Sequence, residues 1–241
     1  MNWFAVIGQW LTDSAHWHGS DGVPVRVLEH LEYTGLALGL ALVIGLPIGA
    51  IVGHTGRGGF LLVGLANYLR ALPSVGLLVI AFVVIGLGLV PPIAALTVLA
   101  LPPVLAGSYA GIQAVDPAVV DAAKGMGMRW YHVLFRVEIP NAMPLIFGGI
   151  RSAALQVVAT ATIAAEVALG GLGRFIIDGN AEHNETGFAQ MAAGAVLVAV
   201  LALVVEGVFV LVQRLVVSPG LRAGRAGGRG GQKLESETGG S

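Results

Sequence analysis

Five blocks of nearly uninterrupted apolar residues, at about 33–53, 59–88, 91–111, 144–165 and 189–212, constrain this chain more than any other feature. Each is long enough to cross a hydrocarbon layer of about 30 Å, which takes about 20 apolar residues. Lipid offers no partner to a free N–H or C=O, so the backbone of each block must close its own hydrogen bonds and α-helices are required. Strands of a barrel would alternate polar and apolar residues, and these blocks do not. The expectation is an all-α membrane protein of about five transmembrane helices. Composition agrees, since 11% of residues are charged against about a quarter in a soluble domain. The chain has no cysteine, which excludes disulfides, thiolate metal sites and thiol catalysis.

Some blocks carry internal punctuation. The 59–88 block is too long for one simple span, and reads either as a tilted helix or as an interfacial piece to Leu72 followed by a span after Pro73. Pro102-Pro103 is expected to break or bend the third span, as a hinge or near its inner end. In the first block Ala41, Gly45, Gly49 and Gly53 recur every four residues, with Gly35 and Gly39 beside them. Such ridges permit close helix packing in lipid, although a chain with 36 glycines also produces them by chance.

Orientation follows from Lys and Arg. With the N-terminus outside, the inner side holds nine (Arg57, Lys124, Arg129, Arg136, Arg214, Arg222, Arg225, Arg229, Lys233) and the outer side two, Arg26 and Arg174. The expected topology is N-out, C-in, with five spans. Residues 1–17 hold Asp13 and no basic region, so no cleavable signal is expected. Residues 1–30 carry Trp3, Trp10 and Trp17 and suit an amphipathic extracytoplasmic or interfacial segment. Residues 214–241, rich in Gly, Arg and Ser after Ser218-Pro219, read as a disordered basic cytoplasmic tail.

Between the third and fourth blocks lies a polar island, DAAKGMGMRWYHVLFRVEIP, from Asp121 to Pro140. Asp116 is a good N-cap and Pro117 a good first-turn residue, so a helix is expected from Pro117 to Met128. Ala123 and Gly127, four apart, would then share one face and form a small-residue ridge open to another protein surface. The order Asp121-Ala122-Ala123, three spacers, Gly127, nine spacers, Val137-Glu138-Ile139-Pro140 resembles the EAA loop of bacterial ABC importer permeases, with Asp for Glu, Val for Ile and Ile for Leu. In that family the loop is a cytoplasmic coupling helix seated in a groove of the ATPase. The resemblance therefore assigns ATPase coupling to Asp121, Ala122, Ala123, Gly127 and Pro140.

Further stretches are similar to the glycine betaine/carnitine/choline permeases within that family. They are Arg70-Ala71-Leu72-Pro73-Ser74-Val75-Gly76-Leu77-Leu78, Val115-Asp116-Pro117, Ile150-Arg151-Ser152-Ala153, and Ala159–Ala165 followed by Gly170-Gly171-Leu172-Gly173. The departure is Glu166-Val167, where the family is usually apolar; it bears on the solute rather than the class. The resemblance covers about residues 30–212 and implies a type I importer transmembrane domain, taken as 31–213. It also implies an ATP-binding subunit, a second permease subunit (identical or paralogous) and an extracytoplasmic solute-binding protein as partners.

The chain itself lacks a GxxxxGK[ST] loop, HExxH, GxSxG and an intramembrane carboxylate pair, so it reads as no enzyme. ATP hydrolysis is expected in a separate subunit. No cofactor and no nucleic acid is expected; Asp13 with His16-x-His18 is only a sparse metal candidate. Quaternary ammonium groups are held by aromatic cages, and the block aromatics (Tyr33, Phe60, Tyr68, Phe82, Tyr109, Phe147, Phe209) are spread over different helices. Tight solute recognition is thus expected in the binding protein, docked on the outer loops including 166–188. Glu206 in the last block is expected to pair with Arg151 or Arg70, the alternative being a water-filled vestibule, because isolated charge in a bilayer is costly. The resulting reading is the permease subunit of an importer for glycine betaine, choline, carnitine or proline. An amino-acid importer, for methionine for example, and an ATP-independent transporter or channel are the alternatives.

Overall fold

The computed structural model describes residues 3–165 and 170–216, and among them every regular element is helical. In chain order these are α1 (Trp3–Thr12), a 3₁₀ turn (Ser14–Trp17), α2 (Val23–Thr55), α3 (Gly59–Ala71), α4 (Ser74–Ile85) and α5 (Val90–Gln113). There follow α6 (Pro117–Gly125), α7 (Trp130–Val133), a π-turn (Leu134–Glu138), α8 (Ile139–Ala164), α9 (Gly173–Glu182) and α10 (Glu185–Val216). Four continuous helical stretches, Val23–Thr55, Val90–Gln113, Trp130–Ala164 and Glu185–Val216, are long and apolar enough to span a membrane; the α3–α4 pair is a fifth if its bent halves count as one.

α3 and α4 meet at 91°. Of the two readings open for residues 59–88, the break wins, because a residue before proline is pushed out of the α region. Leu72 is accordingly extended (ψ 132°) and Pro73 caps α4. The prolines of α5 do not break it. α5 runs without interruption through Pro102 and Pro103, both buried. Pro103 has no N–H to give the Leu99 carbonyl, and Gln156 Nε2 of α8 donates to that carbonyl at 3.0 Å. The neighbouring helix thus satisfies the carbonyl that Pro103 leaves without a backbone donor.

Glycine sets the spacing of the central pair. Gly45, Gly49 and Gly53 are buried and face Val104, Ser108 and Ile112 of α5. A Cβ on Gly49 would lie 1.8 Å from Ser108 Oγ and 3.0 Å from the Leu105 carbonyl oxygen, so nothing larger fits at this crossing. Gly35 and Gly39 face open space and are no part of that ridge. α2, α5 and α8 together bury Ala37, Ala41, Leu96, Ala100, Val104, Ala153, Val157 and Ala161 as the middle of the bundle.

One boundary near the start of the chain is revised. α2 begins at Val23, so an N-terminal segment closing at residue 30 would cut through a continuous helix. Within that segment Trp10 is 5% exposed and packs edge-on against Phe175 of α9 at 5.3 Å, in a cluster with Val23, Val158 and Leu172. The tail after Val216, with Arg222, Arg225, Arg229 and Lys233, lies outside the described residues, as do Glu166 and Val167.

Candidate functional site

α6 and the turns after it hang from one end of the bundle, where α2 and α5 finish and α8 begins. Gln113 Nε2 donates to the Gly53 carbonyl at 2.6 Å, and Ala50, Ile112, Val115, Leu134, Ala142 and Ile146 form the core beneath α6. Asp116 caps α6 as its side chain accepts from the Ala118 N–H at 2.9 Å, and Pro117 occupies the first turn.

The far end of α6 corrects the expected helix. It stops at Gly125 rather than Met128. The Met128 N–H bonds the Ala123 carbonyl at 3.3 Å and the Gly127 N–H bonds the Lys124 carbonyl at 2.9 Å. With Gly127 at φ +78°, this pair of bonds is a Schellman ending, in which the residue after the cap must be left-handed. Gly127 therefore supplies a backbone conformation, and it does not share a helix face with Ala123. Ala123 is 2% exposed and faces the bundle, so the expected Ala123–Gly127 ridge does not exist. The outward surface consists of Asp121, Ala122, Lys124 and Gly125, with exposed Val119 and Met126. Val120 and Ala123, three apart, mark the helix face that turns to the core.

Pro140 lies exposed in the first turn of α8, directly after the π-turn. The π-turn contributes a residue that spacing alone treated as filler. Glu138 is 5% exposed, and its Oε2 lies 2.6 Å from Nδ1 of His54 at the end of α2. Trp130 packs beside the His54 ring at 6.0 Å between centroids. A buried carboxylate needs a polar partner, and His54 is the polar residue that ends the neighbouring apolar block.

Deeper in the bundle the structure brings Arg151 of α8 and Glu206 of α10 together. Arg151 Nε donates to Glu206 Oε2 at 2.6 Å, and the second guanidinium nitrogen contacts Oε1. The fork geometry is bidentate, the strong form of such a contact. Arg70 is elsewhere, exposed in the last turn of α3, with no ion pair among the described residues. At the opposite end Glu29 accepts from Arg26 at 2.9 Å and from the Gly171 N–H at 2.7 Å, which ties the start of α2 to the glycine turn before α9.

His16 and His18 spend their Nδ1 atoms on the Trp10 and Ser14 carbonyls at 2.9 and 2.7 Å. Ring pairs among the described residues involve Trp10, His16, Phe175, His54, Trp130, Tyr131 and His132, none of them the aromatics of the apolar blocks.

Residues 45–218 match the family described as binding-protein-dependent transport system inner membrane component. The chain belongs to that family. Similar proteins include the carnitine transport permease protein OpuCB of Listeria monocytogenes, 31% identical over 204 residues (85% of this chain, 92% of the relative). The glycine betaine/carnitine/choline transport system permease protein OpuCB of Bacillus subtilis is 32% identical over 195 residues, covering 80% of this chain and 88% of its own. Among solved structures, an inward-facing MetNI methionine ABC transporter matches with TM-score 0.71 at 23% identity, over 81% of this chain and 96% of that one. An amino acid ABC transporter matches at TM-score 0.66 and 20% identity, over 89% and 98%. This binding-protein-dependent transport component is thus a multi-pass membrane permease of the type I ABC importer fold. The similar proteins are permease subunits of transport systems and not themselves enzymes.

Proposed function

We propose that this permease imports compatible solutes, of the glycine betaine, choline, carnitine and proline type, in an ATP-driven complex. The observation that carries this reading is the recurrence of glycine betaine, choline and carnitine in the names of relatives about 31% identical over most of the chain. Two copies, identical or paralogous, line the path. The existence of both OpuCB and OpuCD carnitine permeases in Listeria monocytogenes, each 31% identical to this chain, supports a paralogous pair as readily as an identical one. The α6 end faces the cytoplasm, a reading supported by the nine-to-two distribution of Lys and Arg.

The outward face of α6, with Asp121, Ala122 and Lys124, seats in the partner ATPase, and Gly127 and Pro140 shape the turns that hold it there. ATP-driven closure of the ATPases moves α6, and the movement reaches α8 through the π-turn. Arg151–Glu206 braces α8 against α10 while this happens. Solute affinity resides in the extracytoplasmic binding protein, since the aromatics of the spans form no cluster.

Reconstitution of the permease with its ATPase and binding protein in proteoliposomes tests the reading. ATP-dependent uptake of labelled glycine betaine, choline or carnitine is expected, with methionine as the competing arm. Uptake of methionine alone, or uptake of betaine without ATP, overturns it. Calorimetry of the permease by itself with the three quaternary solutes is expected to show no micromolar binding.

A further inference from the structure

A cleft of about 410 Å³ opens between α2 and α8 on the α6 half of the bundle. Leu46, Ala50, Ile51, Phe135, Met143 and Ile150 are among the apolar groups that line it. Its one hydroxyl, on Ser108, is already engaged, donating to the Val104 carbonyl at 2.9 Å. Water entering this cleft would find no free polar partner there.

The cleft does not end in more apolar surface. Ile51 also lines a second hollow, of about 440 Å³, whose other walls are His54, Thr55, Arg57 and Trp130. The two spaces therefore adjoin along one side of α2, apolar toward Leu46 and polar toward Arg57. Arg57 is exposed just past the end of α2, and its guanidinium has no partner among the described residues. His54 is held by Glu138, so Arg57 is the free cation of this mouth. Trp130, 62% exposed, supplies the flat amphipathic ring that favours the level of lipid headgroups.

Length points the same way as chemistry. Along α8 the apolar lining runs from Ile139 to Ile150, a rise of about 16 Å, close to half of a hydrocarbon layer about 30 Å thick. The apolar trough is therefore about as deep as one leaflet, and Arg57 stands at its polar end.

We propose that the α2–α8 cleft and its Arg57 mouth form a binding site for one anionic phospholipid, the acyl chain lying along Leu46–Ile51 and the phosphate at Arg57. The inference rests on the chain being membrane-embedded and not on which solute it carries. A lipid here would bridge the end of α2 and the Leu134–Glu138 π-turn, the two parts joined by His54 and Glu138.

Native mass spectrometry of the purified permease, with phosphatidylglycerol or phosphatidylcholine added in neutral detergent, reads lipid retention without any transport step. Wild type is expected to retain phosphatidylglycerol in preference to phosphatidylcholine. Arg57→Gln is expected to reduce that preference about fivefold, the weight of one basic residue near an anionic headgroup, and Arg57→Lys to keep most of it. Ala50→Phe, which fills the trough, is expected to lower retention of both lipids. Equal retention of the two lipids by wild type, or an unchanged preference in Arg57→Gln, overturns the proposal. So does Ala50→Phe if it alters the permease's oligomeric state and leaves lipid retention untouched, since a second subunit would then be the occupant.

Discussion

His54 Nδ1 and Glu138 Oε2 lie 2.6 Å apart across 84 residues of sequence, and they join the end of α2 to the π-turn that opens α8. π-turns inside helices weaken the local ladder and often mark functional joints. This one is followed by Pro140 and Pro144, which remove two more N–H donors from the same stretch. The polar tie therefore holds a segment that backbone bonds alone hold loosely. His54→Leu leaves the Glu138 carboxylate buried without its partner, at a cost of about 1–3 kcal/mol. His54→Leu with Glu138→Leu is expected to cost less than the sum of the single changes. Thermal unfolding of the solubilised permease measures this, and additive losses would show that the two side chains do not act together.

Gly127 ends α6 through its left-handed φ of +78°, and a Cβ there would meet no atom within 4 Å. Conformation, not space, restricts the position inside this chain. Gly127→Asn, which tolerates the left-handed region, is expected to keep most solute-stimulated ATP hydrolysis in the assembled complex. Gly127→Leu is expected to abolish it, since a bulky side chain there costs about 1–2 kcal/mol and displaces the turn. Full stimulation in a normally assembled Gly127→Leu complex would show that this ending is not needed for coupling.

Arg151 and Glu206 form a bidentate pair between α8 and α10. A cycle of Arg151→Gln and Glu206→Gln is expected to reveal a coupling of about 1 kcal/mol, within the usual range for contacting residues. Arg70→Gln with Glu206→Gln is expected to be additive. Additivity in both cycles would make Glu206 a solvated vestibule residue.

At Gly49 the backbones of α2 and α5 approach so closely that an added Cβ meets both Ser108 and the Leu105 carbonyl. The hydroxyl can rotate away and the carbonyl cannot. Gly49→Ala is expected to lower stability by about 1–3 kcal/mol, as overpacking does. Gly35→Ala and Gly39→Ala, facing open space, are expected to stay within about 0.5 kcal/mol in the isolated subunit. Equal effects at Gly35, Gly39 and Gly49 would remove the Gly45–Gly49–Gly53 ridge as the cause of the close crossing.

What the amino-acid order settled by itself concerns the solvent and the local backbone. Apolar runs that cannot leave an N–H unpaired in lipid dictate helices, and their lengths dictate spans. Asp116 and Pro117 start α6 because a cap and a fixed φ act within one turn. The spacing from Asp121 to Pro140 was enough to reveal the family. Tertiary structure decided everything that depends on a neighbour. α5 stays continuous through Pro102-Pro103, where Gln156, 57 residues away from Leu99, supplies a donor that no local rule contains. Four-residue periodicity treats Gly35 and Gly49 alike, yet only Gly49 meets another helix. Ala123 and Gly127 differ because the Schellman ending stops α6 between them and turns Ala123 into the core. Glu206 had two arginines within reach by depth alone, and the packing of α10 against α8 selected Arg151. Local sequence determines which backbone states are cheap; only the packed bundle determines which buried polar atoms meet, because each such contact needs two helices at one fixed separation and rotation.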